Sequence, residues 1–347
     1  MRITGSENSI TVRNWPVTTT KLLLAGDIGG TKTTLALYAK GNFAQPVCEQ
    51  TYQNRQASGL AQLITTFLRQ EKKLPAVGCF GVAGPMRDGR VKMTNLDWQI
   101  DELEIARACG LERVILINDL VATAVGAVLL PRDELFPINQ GQPRDEGTIG
   151  VLAPGTGLGE AFVLRQDSRS IPVASEGGHA SFAPCNREQL ELLAFLLQRE
   201  QHVSVEKVCS GRGILNIYAF FTTRMQPPEG LQQKVAEATD PTPILVQAAL
   251  KALEDGDLHH ICVKTLHLFI DILAAETTNL TLKVMATGGV LIGGGLPPRI
   301  LPFFDPERFM STFARGVYRE MLAKIPVHIL LNPKTALIGA AAYGMNR

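Results

Sequence analysis

Residues 22–38 read LLLAGDIGGTKTTLALY. Leu22 to Ala25 are continuously apolar, as in a strand buried on both faces. The glycine-rich turn at 26–30 breaks the run, and Thr33 to Tyr38 resume it with strand-like alternation. Two apolar segments around so short a turn predict a β-hairpin. Downstream, Leu60, Leu63, Ile64, Phe67 and Leu68 recur at helical spacing. Val77–Ala83 and Arg113–Ile117 are short apolar runs of buried-strand type, and the second leads through Asn118-Asp119 into the small-residue helix LVATAVGAVLL. Strand, helix, strand, helix in this order predicts an α/β layer with parallel strands.

The outline of the hairpin recurs. Residues 131–147 (PRDELFPINQGQPRDEG) are polar and rich in Pro and Gly, which predicts a linker or long loop. GVLAPGTGLGEAFVL at 150–164 then repeats the order apolar strand, Gly/Thr turn, apolar strand. Two copies point to two related halves, each presenting one glycine turn. The remainder is helix-dominated, with helices expected near 187–200, 211–222, 242–254 and 258–280, a glycine-rich break at 286–295, and a last alanine-dense helix at Leu337–Met345.

Composition narrows the classes. The chain has 347 residues, enough for two domains, with 45% hydrophobic and 19% charged residues, which marks a folded protein with ample core. Lys and Arg total 34 against 33 Asp and Glu, a formal net charge of +1, so no global basic excess exists to hold nucleic acid or an anionic membrane. The six cysteines at 48, 79, 109, 185, 209 and 262 form no CxxC pair, which argues for reduced thiols and against a disulfide framework or a cysteine-built zinc site. No apolar run approaches the roughly 18 residues that a membrane span needs. Residues 1–20 lack the hydrophobic stretch of a secretory signal and read as a disordered extension, with a weak transit-peptide reading left open. A cytoplasmic location is expected.

Five segments carry candidate chemistry. In Asp27-Ile28-Gly29-Gly30-Thr31-Lys32-Thr33, glycines let backbone amides approach an anion, hydroxyls add donors and Lys32 adds positive charge. Asp27 at the end of an apolar strand needs a partner such as hydrated Mg²⁺. The GxxxxGK[ST] string of nucleoside-triphosphate P-loops is absent, and a second strand follows in place of the helix of a dinucleotide fingerprint. A tight hairpin with a solvated lysine remains the plain alternative. Gly155-Thr156-Gly157-Leu158-Gly159 is weak alone but gains force as a partner turn for successive phosphates. Asn118-Asp119 lies where a strand stops, the place where ligands of open α/β sheets gather, and a helix cap is the competing reading. A carboxylate there is suited to accept a proton from a hydroxyl attacking a phosphoryl group.

Glu176-Gly177-Gly178-His179, with Glu206 downstream, offers donors and acceptors for a polyhydroxylated ligand, although a lone His179 also reads as structural. No HExxH string supports zinc there. Thr287 to Gly295 (TGGVLIGGG) is a strand ending in a glycine cluster, which opens flat space for an aromatic base or else marks a bulge. His259, His260 and His267 are expected to be structural, and Tyr218, Phe220 and Phe221 to be core.

In order, LAGDIGGTKT, TNLDW, INDLVATA, PGTGLGEA, EGGHASFAP, VEKVCSG and GGVLIGGG closely resemble the bacterial-type ATP-dependent glucokinase family, from about Leu22 to the C-terminus. The resemblance implies a two-lobed actin-like ATPase (ribonuclease H-like) α/β fold with a central cleft. It implies a small α/β domain of 21–130 plus about 325–347, and a large α+β domain of 131–324. It also implies transfer of the ATP γ-phosphoryl group to the 6-hydroxyl of glucose. By matched position, Asp119 is the catalytic base, and Asn118, Glu176, His179 and Glu206 bind the sugar, with Asn95 near it. The turn Gly29, Gly30, Thr31, Lys32, Thr33 and the turn Gly155, Thr156, Gly157 bind phosphate. Asp27 stands near Mg²⁺, and Gly293, Gly294 and Gly295 lie on the adenosine side. A homodimer is implied as well. The regulator/open-reading-frame/kinase group shares DxGGT and EGGH-like strings, but its cysteine-rich zinc motif cannot be built from ASFAPCNREQLE, whose one cysteine is Cys185. Another hexose as acceptor, or a sugar-sensing regulator without catalysis, are the rival expectations.

Overall fold

A computed structural model of the chain describes residues 22–43, 45–93, 96–167 and 169–346. The strands in chain order are β1 (Leu22–Ile28), β2 (Lys32–Ala39), β3 (Cys48–Gln53), β4 (Val77–Val82), β5 (Met86–Arg87), β6 (Arg90–Lys92), β7 (Gln99–Asp101), β8 (Arg113–Asn118), β9 (Leu135–Asn139), β10 (Ile149–Pro154), β11 (Leu158–Gln166), β12 (Arg169–Ser175), β13 (Gly289–Ile292) and β14 (Val327–Leu330). The α-helices are α1 (Leu60–Glu71), α2 (Glu102–Cys109), α3 (Asp119–Ala127), α4 (Arg187–Leu196), α5 (Gly211–Thr222), α6 (Leu231–Glu237), α7 (Thr242–Glu254), α8 (Ile261–Val284), α9 (Pro306–Phe313), α10 (Arg319–Ala323) and α11 (Thr335–Met345). The chain forms two compact units. Of the described residues, those up to Arg132, those within Val163–Ala174 and those from Asn332 on make one; Asp133–Phe162 and Ser175–Leu331 make the other.

In the first unit five strands run in the order β3-β2-β1-β4-β8. The β1–β2 pair is the expected antiparallel hairpin, and β1, β4 and β8 are mutually parallel. Alternation along β1 and β2 sends side chains into two cores. Leu24, Ile28, Leu35 and Leu37 meet Leu60, Ile64 and Phe67 of α1 on one face. Leu23, Ala25, Ala36 and Tyr38 meet Ala122 of α3 and Leu337, Ala340 and Ala341 of α11 on the other. The small residues of these two helices serve a close crossing. A Cβ on Gly126 would strike the Thr335 carbonyl oxygen, and one on Gly339 the Ala122 carbonyl oxygen, so any larger residue drives the helices apart.

In the second unit the strands run β11-β10-β13-β14-β9, with β11 entering it by Leu158–Phe162. β10, β13 and β14 are parallel, while β9 closes the edge antiparallel to β14. The polar stretch 131–147 is therefore not wholly a loop: its apolar centre makes an edge strand. Pro137 removes one ladder donor, which an edge position tolerates. The side-chain amide of Asn139 donates to the carbonyls of Ala323 and Ile325, 3.0 and 2.9 Å away, and ties the edge down. Helix α8 is buried on nearly all sides and packs with α5, α7 and α9. His260 caps it, its Nδ1 accepting from the Cys262 amide at 3.2 Å, and His267 lies edge-on to Phe303. Tyr218, Phe220 and Phe221 are core, as expected. Among the described residues no helix is long and apolar enough to cross a membrane, and none of the six cysteines forms a disulfide.

Candidate active site

The first unit gathers its candidates at the carboxyl ends of its parallel strands. Asp27 in β1, Gly81 in β4 and Ile117 in β8 are in register, which places Asp27 about 10 Å from the end of β8 at the usual strand spacing. Asn118 caps α3, its Oδ1 accepting from the Leu120 and Val121 amides at 2.9 and 3.3 Å. Asp119 is the first residue of that helix, where the positive end of the helix dipole favours an ionised carboxylate. Its Oδ1 accepts from the Leu120 amide at 3.0 Å, and the Thr123 hydroxyl donates to its carbonyl. Capping and a neighbouring carboxylate thus coexist: Asn118 caps through its side chain and Asp119 stands beside it.

Asp27 is only partly exposed, and burial pushes its carboxyl up to about 6. It forms no hydrogen bond or ion pair with its side chain among the described residues. A half-buried carboxyl that lacks a cation fits a hard divalent ion held by one or two carboxylates and by phosphate oxygens. The hairpin turn beyond it is fixed by Asn54, which is 1% exposed. The Gly29 amide donates to the Lys32 carbonyl at 3.0 Å. The Asn54 side chain donates to the Gly29 carbonyl and accepts from the Thr33 hydroxyl, each at 2.8 Å.

In the second unit, β10 and β11 are joined by Gly155-Thr156-Gly157, the second glycine turn. The Gly155 amide donates to the Gly157 carbonyl, and the Gly155 carbonyl accepts from the amide of Gly211, the first residue of α5, both at 2.8 Å. Glu206 holds the same turn from the side, its Oε2 accepting from the Leu158 amide at 3.0 Å. The Gly293–Gly295 cluster follows β13 and lies against the end of β10. The Gly293 amide donates to the Leu152 carbonyl at 2.7 Å and the Leu296 amide to the Pro154 carbonyl at 3.3 Å. Both glycine elements therefore sit at the carboxyl ends of neighbouring parallel strands, as the general rule for α/β ligand sites requires.

Glu176 and His179 flank a short 3₁₀ turn, Gly177–His179, and their side chains are 77% and 64% exposed with 3.9 Å between Oε2 and Nε2. The turn rests on β11. A Cβ on Gly177 would collide with the Glu160 carboxylate, and one on Gly178 with the Leu158 carbonyl, so two glycines are a steric requirement here. The Val205 amide donates to the Ala180 carbonyl at 2.9 Å and ties this segment to the one that carries Glu206. Glu176, His179, Glu206 and the Gly155–Gly157 turn are thus brought together in one neighbourhood of one unit.

Beneath that turn lies a buried acid that sequence reasoning missed. Glu160 is 2% exposed, its Oε1 has no hydrogen-bond partner, and burial together with the Glu276 carboxylate pushes its carboxyl up to about 7. Glu276 in α8 is also buried and raised by burial, with Lys283 at 3.9 Å and Asn279 at 2.9 Å. An acid at an inward position of an alternating strand (Leu158, Glu160) and one on the buried face of an apolar helix were the available signals. Asn54 gave no such signal, since its role exists only in tertiary contact. Asn95 lies outside the described residues, and among those described no group of three or more His, Cys, Asp or Glu side chains is placed to hold a metal ion.

Two parallel-stranded units, each with a glycine hairpin turn at its strand ends, define the class: a sugar kinase of the actin-like ATPase fold. The glucokinase family model matches residues 24–347, and the chain belongs to that family. A glucokinase of Trichormus variabilis is 38% identical over 339 residues, covering 92% of this chain and 98% of that one. The crystal structure of a glucokinase from an Antarctic psychrotroph superposes with a TM-score of 0.78 at 30% identity, covering 94% of this chain and 99% of that chain. A glucokinase of Streptomyces griseus, crystallised with glucose and AMPPNP, shares the fold at a TM-score of 0.65 and 17% identity, with 94% of this chain and 100% of that chain covered.

Proposed function

We propose that this chain transfers the γ-phosphoryl group of ATP to the 6-hydroxyl of glucose, giving glucose 6-phosphate and ADP. The observation that carries the reading is Asp119, a carboxylate at the first turn of α3 and the end of β8, in a chain that belongs to the glucokinase family. Phosphoryl transfer asks for positioning and charge neutralisation more than for covalent participation. An ionised carboxylate is already a competent base at neutral pH, so Asp119 needs no unusual environment to receive the hydroxyl proton as the oxygen attacks phosphorus. Asn118, Glu176, His179 and Glu206 hydrogen-bond the sugar hydroxyls, and Asn95 joins them on the family resemblance alone.

The turns Gly29–Thr33 and Gly155–Gly157 hold the phosphates through backbone amides and hydroxyls, and Gly293–Gly295 give flat backbone for the adenosine. Asp27 holds Mg²⁺, whose charge offsets that of the phosphates when it is bound. The resemblance also supports a homodimer at work in the cytoplasm, feeding glycolysis. The test is ADP release with ATP, Mg²⁺ and a panel of glucose, mannose, fructose and N-acetylated hexosamines. Glucose is expected to give the highest kcat/KM, with glucose 6-phosphate as product. Turnover with another member of the panel but not with glucose overturns the substrate, and glucose binding without ADP release overturns the catalysis.

A further inference from the structure

We propose that Asn54 is a positioning residue for the nucleotide phosphates, holding the carbonyls of Gly29 and Thr31 on one side so that the amides of Gly30 and Lys32 face the other. The inference rests on the reading of that turn as a phosphate site. Asn54 sits at the start of a 3₁₀ turn that follows β3, and the hydrogen bonds it makes to the hairpin fix three residues at once. Its side-chain nitrogen donates to the Gly29 carbonyl at 2.8 Å. Its backbone amide donates to the Thr31 carbonyl at 2.9 Å. Its Oδ1 accepts from the Thr33 hydroxyl at 2.8 Å.

The peptide unit is planar and trans, so its carbonyl and the following amide point in opposite directions. With the carbonyls of Gly29 and Thr31 turned toward Asn54, the amides of Gly30 and Lys32 point away from it. The Gly30 and Thr31 amides have no hydrogen-bond partner among the described residues. The exposed Thr31 and Lys32 side chains stand on the same short segment. Backbone amides turned outward from so short a segment form a concave anion cradle. Because Asn54 is buried, it supports that cradle without touching a ligand: it limits the turn to one conformation before the nucleotide arrives, and so removes an ordering cost from binding.

The test compares Asn54→Ala and Asn54→Asp with the unaltered chain and with Gly30→Ala, which places a methyl in the cradle. Asn54→Asp keeps the shape and the acceptor for Thr33 but cannot donate to the Gly29 carbonyl, and it guards against a folding defect in the alanine variant. Both Asn54 variants are expected to raise KM for ATP about tenfold, the scale of one or two lost hydrogen bonds, with KM for glucose within about twofold. Inhibition by tripolyphosphate should weaken by a similar factor, while inhibition by adenosine should not change. A lower melting temperature with KM for ATP and tripolyphosphate inhibition unaltered, or an equal loss toward ATP and glucose, overturns the proposal. If Gly30→Ala raises KM for ATP and neither Asn54 variant does, the role of Asn54 falls and the phosphate turn stands. If none of the three changes it, the phosphate reading of the turn falls as well.

Discussion

Replacing Glu160 by Gln tests the buried acid beneath the Gly177–His179 turn. An unfolded glutamate ionises near 4.5, whereas in the folded chain burial and Glu276 raise Glu160 to about 7. Between those values the folded state holds a proton that the unfolded state has released, so stability falls as pH rises. The contribution is fully present below about 4.5 and is lost once pH has passed about 7. The shift of about 2.5 units, at about 1.36 kcal/mol per unit, is worth roughly 3 kcal/mol, most of it lost between about pH 5 and pH 8. Gln is neutral throughout and escapes the loss. Its amide adds a buried donor without an evident partner, a cost of about 1–3 kcal/mol that does not depend on pH. The readout is therefore a double difference, from urea unfolding of both proteins at pH 5 and pH 8. Glu160→Gln should gain roughly 2–3 kcal/mol on the unaltered chain between the two pH values. An equal gap at both pH values would show that Glu160 is ionised in the folded chain, and the reasoning from burial would fail.

Asp27→Asn should stabilise the nucleotide-free chain at pH 8 by about 1–2 kcal/mol, since the carboxyl raised to about 6 is then ionised, half-buried and without a cation, and solvent screening trims the full shift. The gain should shrink as pH falls through 6, and Mg²⁺-dependent turnover should be lost; a destabilised variant in urea unfolding at pH 8 would contradict it. Glu176→Ala should raise KM for glucose about tenfold, one hydrogen bond to an ionised group, and leave KM for ATP unchanged. A change confined to ATP in steady-state kinetics would remove Glu176 from the sugar site.

Much of this was legible in the residues because the decisive strands are central ones. β1 and β10 are covered on both faces and so read as apolar runs, and the turns between them and their hairpin partners carry Gly and Thr in plain view. Asn118-Asp119 was legible as both cap and acid, since a strand end and a helix start coincide there. β9 was hidden because an edge strand needs few buried residues, and only Ile138 of its five is buried. The short helices α6, α9 and α10 were hidden for a similar reason, being seven, eight and five residues long. Glu160 and Asn54 illustrate the deeper limit. A buried polar residue looks like a surface one in sequence, and only the contact with Gly177 in one case, and with Gly29, Thr31 and Thr33 in the other, gives it a role.

In the proposed reaction the carboxylate of Asp119 receives the proton of the attacking hydroxyl. The most direct measurement is single-turnover formation of glucose 6-phosphate by Asp119→Asn at saturating ATP, Mg²⁺ and glucose, alongside glucose affinity by calorimetry. The expected rate is lower by about 10² to 10⁴, with affinity changed by less than about threefold. A rate within threefold of the unaltered chain would contradict it.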